Sequence, residues 1–396
     1  MSDDNLHCDT TELLEAFSSS NDHEEVAEEI QKEMSEYENT TLDIAITGES
    51  GAGKSTFINA LLGVSQDDED DAETGVTETT TEPKAYKHPQ DQTVTYWDLP
   101  GLGTPSIKSQ QYYEKVHFEK YDFFIIIASE RFKESHIDLA KRIQAMKKRF
   151  YFVWSKIDQD LSNAKRSKPS VYNEETILQT IRNDVVQKLK DGWAGNPLVF
   201  LISSFNLNLY DFNVMIETMK QEMPSHKRHK FILILPNASL QIIQEKRDAL
   251  RGQIWKKALL SSIVSFVPIP GLSFACDIPL MINTLKEYVK SLCLDKQTLT
   301  KLSDVWLKDI KSVIQSPVCK EEINSSFALN ILVSKETTKE ALINKGYFYA
   351  IPIFGSIYGS AVAFTTIRDI LYKALDEVVD DAKRVHEEIK KAISEQ

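Results

Sequence analysis

Gly48-Glu49-Ser50-Gly51-Ala52-Gly53-Lys54-Ser55-Thr56 sets three glycines, one amine and three hydroxyls into a single short loop. The spacing fits G-x-x-x-x-G-K-S/T in full. Glycines let the backbone curl until several N–H groups face one anion, and a helix beginning at the end of the loop adds its positive pole. Lys54 then reaches the β- and γ-phosphates of a nucleoside triphosphate, and the Ser55 hydroxyl is a ligand for Mg²⁺. The flanks supply what such a loop needs. Leu42 to Thr47 is a short apolar run that reads as a buried strand, and Phe57 to Leu62 continues with helical spacing.

Two further patterns complete a nucleotide site in the expected order. Asp98-Leu99-Pro100-Gly101 closes the apolar run that starts at Val94 and matches D-x-x-G. Asp98 is placed to hold Mg²⁺ through water, and the Gly101 amide to sense the γ-phosphate. Trp154-Ser155-Lys156-Ile157-Asp158 follows another apolar run, where GTPases carry N/T-K-x-D. A carboxylate at Asp158 accepts from both the ring N–H and the exocyclic amine of guanine; adenine offers neither donor in that geometry. Lys156 lies over the base with its aliphatic stem, and Ser155 stands where Asn or Thr is more frequent. Ser203-Ser204-Phe205 suits a loop whose backbone meets the guanine carbonyl oxygen, although the usual Ser-Ala is absent. GTP or GDP with Mg²⁺ is therefore the expected ligand set, and a P-loop ATPase is the reading that Asp158 opposes.

Between these patterns lies a polar loop, residues 65–75, followed by Val76-Thr77-Glu78-Thr79-Thr80-Thr81-Glu82. Its threonines are candidates for the γ-phosphate and Mg²⁺, Thr79 or Thr80 foremost, and Thr74 is a candidate nucleotide contact. Leu102 stands where a Ras-like protein holds the glutamine that orients water, so unaided hydrolysis should be slow. Glu49 and Glu78 sit near the phosphates and ribose. Either supplies the missing function across an interface facing the nucleotide, or both are solvated loop carboxylates.

Strand-like runs at Phe123–Ala128, Phe150–Trp154 and Val199–Ile202 alternate with helical stretches near Ser109–Lys120, Ser135–Lys148, Glu174–Lys190 and Asp211–Gln221. That alternation predicts a doubly wound, mostly parallel α/β sheet of the Ras-like P-loop type over residues 40–225, with its ligand at the carboxyl ends of the strands. From His226 the strand signals fade and an all-α domain over 226–396 is expected, with amphipathic helices at Ile242–Lys257, Leu302–Ile314 and Thr366–Ile393. Residues 1–39 are acidic. Val26, Ile30, Met34 and Tyr37 recur at helical spacing there, so this segment is expected to pack with the helical domain.

The chain has 396 residues and a formal net charge of −13, with no basic block, which argues against general nucleic-acid binding. Four scattered cysteines, none at metal-ligand spacing, read as reduced thiols of an intracellular protein. The first residues lack the form of a signal peptide, and Ser2 excludes the N-myristoylation pattern. Two apolar stretches, 258–282 and 346–367, are broken by Pro268, Pro270 and Gly271 and by Pro352, Gly355 and Gly359. A buried helical hairpin, reversible membrane insertion and a true span remain open for them.

GESGAGKSTFINALLG, TGVTETTTEPKAYKHP, YWDLPGLGTP, YDFFIIIASERFKESHIDLAKRIQAMKKRFYFVWSKID and the later LPN together resemble the immunity-related GTPases, an interferon-inducible family. The resemblance is detailed over about residues 25–300 and looser beyond. It implies a Ras-like domain with a helical domain made from both ends of the chain. It also implies GTP-dependent self-association at intracellular or pathogen-vacuole membranes in innate defence, with hydrolysis stimulated by homotypic dimerisation. Lys54 is similar to the GKS type, whose members act as effectors, rather than to the members with Met there; regulatory GTPases of the same family are candidate partners. Glu49 and Glu78 match family glutamates implicated at the dimer interface, so the resemblance places them with Lys54, Thr79 and Thr80 among the catalytic residues. Ser2 means that the membrane attachment of the myristoylated members does not carry over.

Overall fold

The computed structural model describes residues 38–63, 82–101, 116–130, 133–192, 197–264, 272–306, 308–334 and 356–395, with single positions at 28, 32, 35, 36 and 72. Two compact units emerge, Thr40–Ser239 and a second made from 1–39 with 240–396.

The first unit is built on a six-stranded sheet in the order β2-β3-β1-β4-β5-β6. The strands are β1 (Leu42–Gly48), β2 (Lys84–Lys87), β3 (Val94–Asp98), β4 (Phe123–Ala128), β5 (Arg149–Trp154) and β6 (Val199–Leu201). All pairings are parallel except β2 with β3. β4, FFIIIA, is buried at every residue, as a central strand covered on both faces must be. By contrast β2, KAYK, exposes three of its four residues and alternates, which suits an antiparallel edge. The sequence reading had no strand there, because a short lysine-flanked segment carries little strand signal. Helices α1 (Lys54–Leu62), α2 (Glu134–Ala145), α3 (Ile157–Ser167), α4 (Glu174–Gly192), α5 (Phe212–Glu222) and α6 (Ser225–Ile234) belong to this unit. One core face gathers Phe124, Ile126, Phe152 and Trp154 with Leu139, Ile143, Leu161 and Leu189.

The change to the helical unit comes at 239/240 rather than at His226. Helix α6 stays with the sheet for a physical reason. Phe231 meets Phe123 edge-on at 6.4 Å, Lys227 pairs with Asp122 at 2.5 Å, and the buried Lys230 reaches Thr93 and Asp91 at 2.5 and 3.2 Å. Basic spacing alone cannot reveal partners that lie more than a hundred residues back.

In the second unit, α7 (Leu240–Val264), α8 (Leu272–Ser291), α9 (Lys296–Trp306), the short α10 (Pro317–Lys320), α11 (Ser325–Ser334) and α12 (Ser356–Glu395) are the described helices. α12 runs for 40 residues and packs its Ile367, Leu371, Leu375, Val378 and Ala382 stripe inward. Leu302–Ile314 is not one helix. α9 ends at Trp306, the Ser303 hydroxyl accepts from the Ile310 amide at 3.2 Å, and Ile310–Val313 forms a 3-10 turn around a buried Ile310. No described helix is long and apolar enough to cross a membrane. Residues 265–271 of the first apolar stretch and 346–355 of the second lie outside the described residues.

Asp381 holds this unit together at one point. Its carboxylate, fully buried on α12, accepts from the Gln315 and Ser316 amides at 2.7 and 2.9 Å and from Arg384. Asp381→Ala leaves the buried Ser316 amide, the Gln315 amide and a guanidinium without their acceptor. It should cost roughly 3 kcal/mol of stability, read as a lower urea midpoint of the full chain.

Candidate functional site

Three loops leave the carboxyl ends of the parallel strands β1, β3 and β5, the first two neighbours and the third one strand further on, and the nucleotide motifs occupy all three. The first is shaped by glycine. Gly48 has φ 147°, and a Cβ built on it would stand 2.1 Å from the Ile127 carbonyl oxygen of β4. Gly51 and Gly53 have φ of 78° and 93°, in the left-handed region that side chains disfavour. Gly53 is the N-cap of α1 and offers no capping side chain, so the first amides of that helix face the loop's hollow. Lys54 begins α1, is buried, and its Nζ donates to the Glu49 carbonyl at 3.2 Å. The loop thus arches over its own lysine. Thr56 is half-buried in the first turn of α1.

The second loop brings Asp98 to Ser55. The Ser55 hydroxyl donates to Asp98 Oδ2 at 2.8 Å, and the aspartate is 1% exposed. A hydroxyl and a carboxylate at this separation are hard oxygen donors of the kind Mg²⁺ takes when phosphates and water supply the rest. Among the described residues no three His, Cys, Asp or Glu side chains cluster to form an all-protein metal cage. The residues present therefore fit a nucleotide-borne Mg²⁺. Leu99 N donates to Ile46 O at 3.0 Å, which ties this loop to β1. A Cβ on Gly101 would come within 2.9 Å of the Ser50 amide, so the first two loops touch backbone to backbone. Ala52 and Leu99, both buried, floor the arrangement.

The third loop carries the residues that the sequence reading assigns to the base. Ser155 donates through Oγ to Ala52 O at 2.5 Å, and Lys156 through Nζ to Gly51 O at 2.7 Å. The serine that stands in place of Asn or Thr thus ties this loop to the phosphate loop through its hydroxyl. Lys156 has φ 58°, turning the chain sharply into α3 so that Asp158 sits in its first turn. Asp158 Oδ1 is buried and has no hydrogen-bond partner among the described residues. The Ser203 hydroxyl, from the loop after β6, is in the same condition, and Ser204 beside it is half-buried. Buried polar atoms without partners are costly. Here both fall in the two loops read as guanine contacts, so a base edge that offers donors to Asp158 and a carbonyl oxygen to the Ser203 hydroxyl fits them.

Several supporting residues were not legible as a motif. Trp154 Nε1 donates to Asp160 Oδ2 at 2.9 Å, pinning the start of α3 just beyond Asp158. Burial raises the pKa of Asp160, the Trp154 hydrogen bond opposes that shift, and the Asp158 charge adds to it. Asp211 steadies the Ser203 loop by accepting from the Leu201 amide at 2.7 Å and from Arg182 at 2.6 Å. Glu49 pairs with Lys133 at 2.7 Å, at the start of α2, where Lys133 N also donates to His136 Nδ1 at 3.2 Å. Burial lowers the pKa of His136, against a smaller upward pull from Glu49. The nearest sequence signal was the acidic repeat in Lys156-Ile157-Asp158-Gln159-Asp160. Thr74, Glu78, Thr79, Thr80 and Leu102 lie outside the described residues.

Two substitutions test this geometry. Asp158→Ala removes an acceptor for two guanine donors and should weaken GDP binding about 100-fold, or roughly 3 kcal/mol, in a fluorescent-nucleotide titration. Gly48→Ala sets a methyl group against the Ile127 carbonyl; nucleotide binding should be lost, and wild-type affinity would refute the close approach.

The chain matches the interferon-inducible GTPase (IIGP) family model over residues 9–389. It is 37% identical to interferon-inducible GTPase 5 of Rattus norvegicus, over 94% of this chain and 81% of that one. It is 40% identical to interferon-gamma-inducible GTPase 10 of Mus musculus, over 83% of this chain and 79% of that one. Among solved structures it is similar to Toc33 from Arabidopsis thaliana in complex with GDP and Mg²⁺, at 14% identity and a TM-score of 0.32, covering 46% of this chain and 79% of that one. With three nucleotide loops in register and a family match over nearly its whole length, the chain belongs to the interferon-inducible GTPases.

Proposed function

We propose that this GTPase hydrolyses GTP to GDP and phosphate with Mg²⁺, and that a second GTP-bound copy completes its reaction. The observation that carries the guanine reading is the pair of buried polar atoms without partners among the described residues, Asp158 Oδ1 and Ser203 Oγ. Lys54 neutralises charge between the β- and γ-phosphates. Ser55 and Asp98, already 2.8 Å apart, hold the metal side, joined by Thr79 or Thr80. Mg²⁺, when bound, neutralises charge on the phosphates. Gly48, Ser50, Gly51, Ala52 and Gly53 line the phosphates with backbone; Ser155, Lys156 and Ser204 border the base. Glu78, and Glu49 if released from Lys133, act from the nucleotide face where the second copy docks. Self-association of the GTP state at intracellular or pathogen-vacuole membranes, peripherally and in cell-autonomous defence, follows from family membership as our reading. Other GTPases of the family are its proposed regulators.

A second reading is a scaffold that holds nucleotide and turns it over slowly until an external partner arrives. Leu102, where a water-orienting glutamine would stand, favours it.

GTP turnover per molecule across a wide range of protein concentration separates the two, with ATP as control. The dimer reading expects specific activity to rise several-fold with concentration, and Glu78→Ala to flatten that rise while leaving GDP affinity within about twofold. Flat, slow turnover by the wild type at every concentration would reject the dimer reading and favour the scaffold.

A further inference from the structure

Outside the nucleotide site, the second unit brings an amine and a thiol together where α7 meets the end of α8. Lys246, on α7, is fully buried. Its Nζ donates to the Ser291 carbonyl at 2.6 Å, at the end of α8, and lies 3.7 Å from Cys293 Sγ. Cys293 follows α8 in the left-handed conformation, φ 55°. The surrounding bonds form a Schellman cap, with Leu294 N donating to Val289 O at 2.9 Å and Cys293 N to Lys290 O at 3.0 Å. Glycine is the usual residue at that position, since a Cβ is disfavoured there. The side chain placed here instead carries sulfur to a buried amine. The thiol is half-buried, so a molecule as small as hydrogen peroxide can meet it.

We propose that Lys246 Nζ and Cys293 Sγ join in a reversible, oxidant-formed covalent bond that ties α7 to the end of α8. The co-reactant is a peroxide. The Cys293 sulfur attacks one peroxide oxygen; the S–O bond forms, the O–O bond breaks, and the leaving hydroxide takes the thiol proton and departs as water. Sulfur is oxidised by two electrons and the peroxide is reduced by two, giving the sulfenic acid. The Lys246 amine, after losing its ammonium proton to water, attacks that sulfur. The S–N bond forms, the S–O bond breaks, and the hydroxyl leaves with one amine proton as a second water. A thiol reductant attacking sulfur returns the amine and the free cysteine. Burial lowers the pKa of Lys246, opposed by the nearby sulfur, which favours the neutral amine this second step needs. Cys319 offers a contrast within the same unit. It is buried, its thiol pKa pushed up by that burial and further by Asp381, and no amine is paired with it in the described contacts.

The test exposes the full-length protein to hydrogen peroxide, digests it without reductant and maps the peptides by mass. The expected product joins the Lys246 and Cys293 peptides at a mass two hydrogens below their sum. Tryptic cleavage after Lys246 is lost, dithiothreitol restores both peptides, and Cys293→Ser abolishes the link. The oxidised chain should also melt at a higher temperature than the reduced one, as a cross-link restrains the unfolded state. Recovery of Cys293 as the free thiol, as a dimedone-trapped sulfenic acid or as sulfinic acid, each without the linked pair, would overturn the proposal. Because the readout is on the wild-type chain, it does not depend on replacing a buried lysine.

Discussion

The nucleotide face depends on backbone meeting backbone where a side chain would intervene. At Gly48 the turn out of β1 runs against the Ile127 carbonyl of β4, closer than any Cβ permits. At Gly101 the loop after β3 presses on the Ser50 amide under the same restriction. The first approach seats the phosphate loop against the sheet, the second brings it against the loop after β3, and there Ser55 and Asp98 meet at 2.8 Å. Polar chemistry comes second here, because the hydroxyl and the carboxylate meet only after the glycines have let their loops close.

The base-reading end is organised differently, by hydrogen bonds between loops rather than by missing side chains. Ser155 and Lys156 both donate to carbonyls of the phosphate loop, so the loop after β5 is fastened to the loop after β1. Trp154 with Asp160 and Arg182 with Asp211 steady the two flanks. What this scaffolding leaves over are polar atoms at Asp158 and Ser203 that no described residue satisfies. A protein retains such groups where a ligand compensates them. That is why the site looks strained as a fold and coherent as a receptor.

The second unit obeys other rules. Its long α12 buries an aliphatic stripe, and two of its polar fixings are deep: Asp381 beneath the turn before α10, and Lys246 beneath the end of α8. Each lies at the end of a helix or beside a turn, where backbone groups have no partner within their own helix. At these two places a buried side chain satisfies backbone groups that the local helix leaves open, whereas Lys257 and Glu287 pair α7 with α8 side chain to side chain.

Period and motif in the chain itself determined a great deal: a P-loop between strand and helix, D-x-x-G, S-K-x-D, a parallel sheet and an amphipathic C-terminal helix. These are local signals, set by glycine conformation, by side-chain alternation and by chemistry within a few residues. Tertiary structure alone decided the rest. The edge strand Lys84–Lys87 is a strand because β3 offers it an open edge. Helix α6 belongs with the sheet because Asp122, Thr93 and Phe123 await its lysines and phenylalanine. The segment after Trp306 turns because the Ser303 hydroxyl captures the Ile310 amide. Glu49 meets Lys133, and Lys246 meets Cys293, across separations that no periodicity encodes. A pattern in sequence reports what a residue does to its own backbone, whereas an ion pair or a close approach exists only once two distant segments have been packed together.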